Sequence, residues 1–120
     1  MAVKKYDLCD LVRGDDWTIK MIIKDEDNVP IDVTNNLYWF TVKQNKDDPD
    51  PGLAQTYVTA DGENSTNGVV FIRMQDTITR SIEPGRYYYD IQEIDGLGNV
   101  FTLLLGRVRV VQDITIDKIG

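Results

Sequence analysis

Apolar residues in this chain recur with a period of two, in short runs closed by Gly, Pro, Asn or Asp. That pattern belongs to strands with one buried face, and it leaves little room for helices. From Trp17 to Lys24 the alternation is clean: Trp17, Ile19, Met21 and Ile23 point one way, Thr18, Lys20, Ile22 and Lys24 the other. Leu37 to Gln44 repeats it, with Tyr38, Phe40 and Val42 on one face. Arg86 to Ile94 is the strongest run, carrying Tyr87, Tyr89 and Ile91 on one face. Leu53 to Thr59 and Val69 to Met74 read as shorter strands, and Val100 to Val111 as a long one. Gly106 inside that last run predicts a bulge or a change of sheet. Asp25 to Asn28, Asn45 to Gly52, Ala60 to Gly68 and Asp95 to Asn99 read as turns and loops. Asp76 to Ile82 is the sole candidate helix. About seven strand-like segments with turns every ~8–12 residues predict an all-β sandwich. No internal repeat or linker divides residues 1–120, so they read as a single domain.

A chain of 120 residues buries roughly 65% of its unfolded surface, enough for a core without disulfides or metals. Thirteen Lys+Arg against twenty Asp+Glu give a net charge of −7. That balance disfavours nucleic acid and anionic membranes as partners. The chain has no His, so the commonest general base and metal ligand are missing. Its single Cys9 allows no internal disulfide and fits a reducing cytosol, where the chain would be made; it reads as a small apolar residue of the first strand. No apolar region follows Lys4-Lys5, so no secretory leader is expected. No run approaches the ~20 apolar residues of a membrane helix.

Carboxylates cluster at Asp15-Asp16, Asp25 to Asp27, and Asp47, Asp48 and Asp50. They are neighbours in turns, where Asp is favoured for local hydrogen bonds, rather than a pair held across a cleft. None fits a helix-flanked calcium loop. Ser65 and Ser81 sit in loop contexts without a nucleophile motif. Gly96-Leu97-Gly98 is a hairpin, with no helix after it to receive a phosphate. The expectation is therefore no catalytic residue, no cofactor and no metal. Trp39, Phe71 and Tyr88 oppose their buried neighbours in the alternation and are the candidate interface residues. The alternative is that the segment from Asn45 to Gly52 covers them.

Four segments together resemble a family of small tailed-phage and prophage virion proteins, in particular the N-terminal domain of the upper baseplate protein of lactococcal phages. Leu11-Val12-Arg13-Gly14-Asp15-Asp16-Trp17 is similar to the family's opening. Val29-Pro30-Ile31-Asp32-Val33-Thr34 is similar to its x-P-[VI]-D-[LV]-T segment. Glu83-Pro84-Gly85-Arg86-Tyr87-Tyr88-Tyr89-Asp90-Ile91 is similar to x-P-G-x-Y-x-Y-D-[IL], and Gly106 to Thr115 to the closing strand. The resemblance implies an immunoglobulin-like antiparallel β-sandwich serving as a virion part, without catalytic residues.

The motif has a legible physics. Gly14 suits a tight turn ahead of Trp17. Pro84-Gly85 suits a type II turn with Gly at positive φ. Tyr87 and Tyr89 bury rings in the core and aim hydroxyls at its end, while Asp90 faces outward or caps a loop. The expected role is a non-enzymatic virion structural protein, a tail- or baseplate-associated module present in many copies and docking on other virion proteins. A capsid decoration protein is the alternative within that class. A carbohydrate-binding module, with Trp39 and Tyr88 as platform, is the alternative of another class. The segments Ala2 to Asp10 and Asp113 to Gly120 are expected to reach a neighbour.

Overall fold

The computed structural model describes residues 4–5, 8 and 10–114. The chain is mostly β, with one curled mixed sheet and a second, small sheet. The strands are β1 (Lys4–Lys5), β2 (Leu11–Val12), β3 (Trp17–Ile22), β4 (Leu37–Lys43), β5 (Ala54–Thr59), β6 (Val69–Met74), β7 (Gly85–Ile94) and β8 (Val100–Val111). Two short helices interrupt them, α1 (Gly62–Thr66) and α2 (Asp76–Thr79). The large sheet runs β1-β8-β7-β4-β5, with β2 also on β8; the small sheet is β3-β6. As β1 and β2 occupy one edge in succession, the eight segments fill seven positions.

The six longer strands follow the alternation. Trp17, Met21, Val70, Ile72 and Met74 from the small sheet meet Tyr38, Phe40, Val42, Tyr87, Tyr89, Ile91, Val108 and Val110 from the large one in a single core. Phe40 and Tyr89 touch edge to face, their ring centres 6.0 Å apart. Thr56 Oγ1 donates to the Arg73 carbonyl at 3.3 Å, tying β5 to β6 where the sheets adjoin.

The resemblance motifs turn out to be joints. Gly14 turns the chain with φ +83°. Trp17 is 3% exposed, and its indole N–H donates to the Val12 carbonyl at 2.8 Å. Asp32 accepts from both the amide and the hydroxyl of Thr34, which places Val33 in the core. Tyr87 Oη donates back to the Glu83 carbonyl, clamping the corner at Pro84 that leads into β7.

Several expectations are corrected. The large sheet is mixed rather than antiparallel, because β1 and β2 run parallel to β8 along its edge. Lys4–Lys5, in the segment expected to reach a neighbour, is thus spent on the chain's own sheet. The loop from Ala60 to Gly68 contains α1, whose polar residues give no apolar periodicity to betray it. Gly85 does not adopt positive φ; it opens β7, and a Cβ there would stand 3.4 Å from the Tyr87 hydroxyl. The register irregularity falls between Ile91 and Gln92, not at Gly106. Gly106 instead pairs with Tyr89. Cys9, Ile116 and Ile119 lie outside the described residues.

Candidate functional site

The outer face of the large sheet forms a groove of about 830 Å³. Strand register lays out this face row by row. In the first row Tyr57 (β5), Trp39 (β4), Gln92 (β7) and Thr102 (β8) stand side by side. In the second, Gln55, Thr41, Asp90 and Leu105 do the same. Lys43, Tyr88 and Arg107 follow in the third. Period-two geometry puts all three rows on one face, opposite Tyr38, Phe40, Tyr89 and Ile91.

The first row supplies a ring surface. Trp39 and Tyr57 stack with centres 4.7 Å apart and planes 27° from parallel. Trp39 is half-buried, while Tyr57 is 58% exposed. Gln92 Nε2 lies 3.4 Å from both Asp90 Oδ2 and Thr102 Oγ1. In the second row Gln55 Nε2 donates to Thr41 Oγ1 at 3.0 Å. Asp90 is half-buried, and that burial raises its carboxyl pKa above the ordinary 3.8; Lys43 opposes the rise and Asp50 adds to it.

The segment from Asn45 to Gly52 closes one end. Lys43 Nζ pairs with Asp50 at 2.8 Å, a contact that raises the lysine pKa. Lys46 Nζ sits 5.1 Å from the centre of the Tyr88 ring, so this segment partly covers Tyr88.

Of the three candidate interface residues, the structure brings Trp39 and Tyr88 into the groove and places Phe71 elsewhere. Phe71 is 46% exposed on the outer face of the small sheet, paired with Lys20, whose Nζ lies 6.0 Å from its ring centre. Asp90, read as a fold residue, faces outward into the groove. Gln55, Tyr57, Gln92, Leu105 and Arg107 carry no motif that singles them out in the sequence. Their signal is positional: each sits opposite an inward-facing neighbour, but only the register puts them in one row.

The carboxylate clusters serve the fold. Asp16 accepts from Arg73 Nη2 and from the Asp76 amide, both at 2.8 Å, and these bonds lower its pKa. Asp25 accepts the amides of Asp27 and Val29 within its turn, and Asp48 that of Asn45. Ser65 is fully buried, its hydroxyl bonded to the Gly62 carbonyl and to Thr34 Oγ1. Ser81 Oγ donates to the Ile78 carbonyl. Among the described residues no three His, Cys, Asp or Glu side chains gather as a metal site, and no helix is long and apolar enough to cross a membrane. In comparison with known proteins, no family model and no curated protein matches the chain.

Proposed function

We propose that this chain is a non-enzymatic structural protein of a phage virion, an assembly module of the tail or baseplate that docks on other virion proteins. Its fold in this reading is an immunoglobulin-like β-sandwich. Three features support that arrangement. The two sheets share one core. The N-terminal strands lie parallel to the last strand on one edge. Tyr87, at the start of β7, bonds a carbonyl four residues upstream, as a tyrosine corner does.

The observation that carries the role is the exposed apolar face of the small sheet. The large sheet leaves neither end bare: β1 and β2 cover the β8 edge, and β5 adjoins β6. Large apolar side chains left exposed on a sheet face are suited to covering by another chain. Phe71 and Ile22, 46% and 48% exposed on the outer face of the small sheet, supply such residues. A fold alone hosts many functions, so the phage assignment rests on the resemblance and the docking on this surface.

The test is the mass in solution of the purified chain, alone and co-expressed with neighbouring virion proteins. A homo-oligomer or a defined complex with a tail or baseplate protein is expected, and Phe71→Asp should weaken it. A complex with the capsid shell alone would make it a decoration protein instead. A monomer that captures no virion protein would overturn the docking role.

A further inference from the structure

We infer that the outer groove of the large sheet is a carbohydrate site that takes a short oligosaccharide. Its volume, about 830 Å³, falls within the ~300–1,000 Å³ usual for small-ligand sites. The lining has the mixed chemistry that a sugar ring demands. A pyranose offers a flat C–H face and a rim of hydroxyls. Trp39 lines the groove and offers the C–H face a ring steadied by the stacked Tyr57, and aromatic faces carry the negative charge density that attracts C–H groups. Trp39 Nε1 has no partner among the described residues and is a donor at the same platform.

The rim is met by the polar residues of the neighbouring strands. Asp90 and Gln92 carry planar groups, each with two terminal atoms able to bridge adjacent hydroxyls. Their mutual contact is 3.4 Å, long against the usual ~2.9–3.0 Å, so neither side chain is saturated. Thr41 and Gln55 extend the polar floor toward β5. Burial of Asp90 makes it a poor group to leave solvated alone and a strong acceptor once hydroxyls replace water.

The groove carries charges of both signs, Lys43, Lys46 and Arg107 beside Asp50 and Asp90, and Lys43 is held by Asp50, so the groove's own charge does not turn an anionic sugar away. Sugar binding here is independent of the virion role, because Phe71 and Ile22 lie outside the groove.

The experiment titrates the full chain with oligosaccharides of glucose, galactose, mannose and N-acetylglucosamine, and with a polyuronate of equal length. Binding is read by Trp fluorescence and calorimetry. At least one of these series should saturate with a Kd at or below ~1 mM. Trp39→Ala and Asp90→Asn should each weaken binding about tenfold or more, while Phe71→Ala leaves it unchanged. If Trp39→Ala fails to fold, Asp90→Asn and Gln92→Ala carry the test. Absence of saturation with every sugar overturns the inference. So does binding that survives both Asp90→Asn and Gln92→Ala. Loss of a virion-protein complex on Trp39→Ala, with no sugar bound, would reassign the groove to protein docking.

Discussion

Gly68 and Gly62 have nearly the same backbone conformation, φ +73° and +75°, yet substitution by Ala should affect them very differently. The left-handed conformation costs an Ala roughly 1–2 kcal/mol. Stiffening of the unfolded chain offsets ~0.4–1 kcal/mol of that. At Gly62 a Cβ would meet nothing within 4 Å, so Gly62→Ala should cost a net ~0.5–1 kcal/mol. At Gly68 the Cβ would stand 2.5 Å from the Ile23 carbonyl oxygen and 2.9 Å from that of Ile31. Both are backbone atoms and cannot rotate away. The same crossing holds two hydrogen bonds, Ile23 N–H to the Gly68 carbonyl at 2.8 Å and Ile31 N–H to the Ile23 carbonyl at 3.0 Å. Relief means moving β3 away from residues 29–33, at ~1–3 kcal/mol for overpacking and ~1 kcal/mol for each bond lost. With the same backbone cost as at Gly62, the sum for Gly68→Ala is about 3.5–6 kcal/mol. Urea unfolding followed by fluorescence of buried Trp17 checks it. With m near ~1.5 kcal/mol/M, the midpoint should fall by about 2–4 M at Gly68 and about 0.5 M at Gly62. Equal midpoints for the two variants would refute the crowding argument.

Asp90→Asn should stabilise the fold near neutral pH. Burial raises the Asp90 pKa, so between 3.8 and the raised value the folded chain holds more protons than the unfolded one. Stability from this group therefore falls as pH rises through that window. The variant's advantage in thermal midpoint should be present at pH ~7 and vanish toward pH ~3; an advantage independent of pH would count against the cause. Tyr87→Phe removes the bond to the Glu83 carbonyl and should cost about 1 kcal/mol in urea unfolding, with no effect on sugar titration. Tyr38→Phe removes the hydroxyl that donates to buried Glu93 and should cost about 1.5–3 kcal/mol, and Tyr38→Phe with Glu93→Leu should recover part of that loss.

The inner face of this protein is legible in its sequence because burial imposes alternation. Tyr38, Phe40 and Val42, or Tyr87, Tyr89 and Ile91, announce a strand and its buried side together. Gly14 and Trp17 announce their joint for the same local reason. Features that depend on pairing are not legible. Nothing in Lys4–Lys5 says that it will run parallel to β8, and nothing at Leu103 says that the register slips beside Gln92. α1 escapes the pattern because its five residues, none of them a large apolar one, are held by a buried Ser65 and a left-handed Gly62 rather than by an apolar stripe.

The groove is the sharpest case of this difference. On β4 strict alternation predicts a wet outer face, yet Thr41 is buried and Trp39 and Lys43 are half-buried. The curl of the sheet and the segment from Asn45 to Gly52 withdraw these residues from water without giving them a core to join. A sheet that curls around such a face retains polar groups it has not fully satisfied among themselves. Phe71, by contrast, lies half-exposed on the small sheet beside Lys20. The two aromatic surfaces therefore differ in kind. The exposed Phe71 and Ile22 gain by covering apolar area with another chain, whereas Asp90 and Gln92 gain by trading water for fixed hydroxyls. Substitutions at Phe71 and at Asp90 should accordingly separate assembly from sugar binding within one chain.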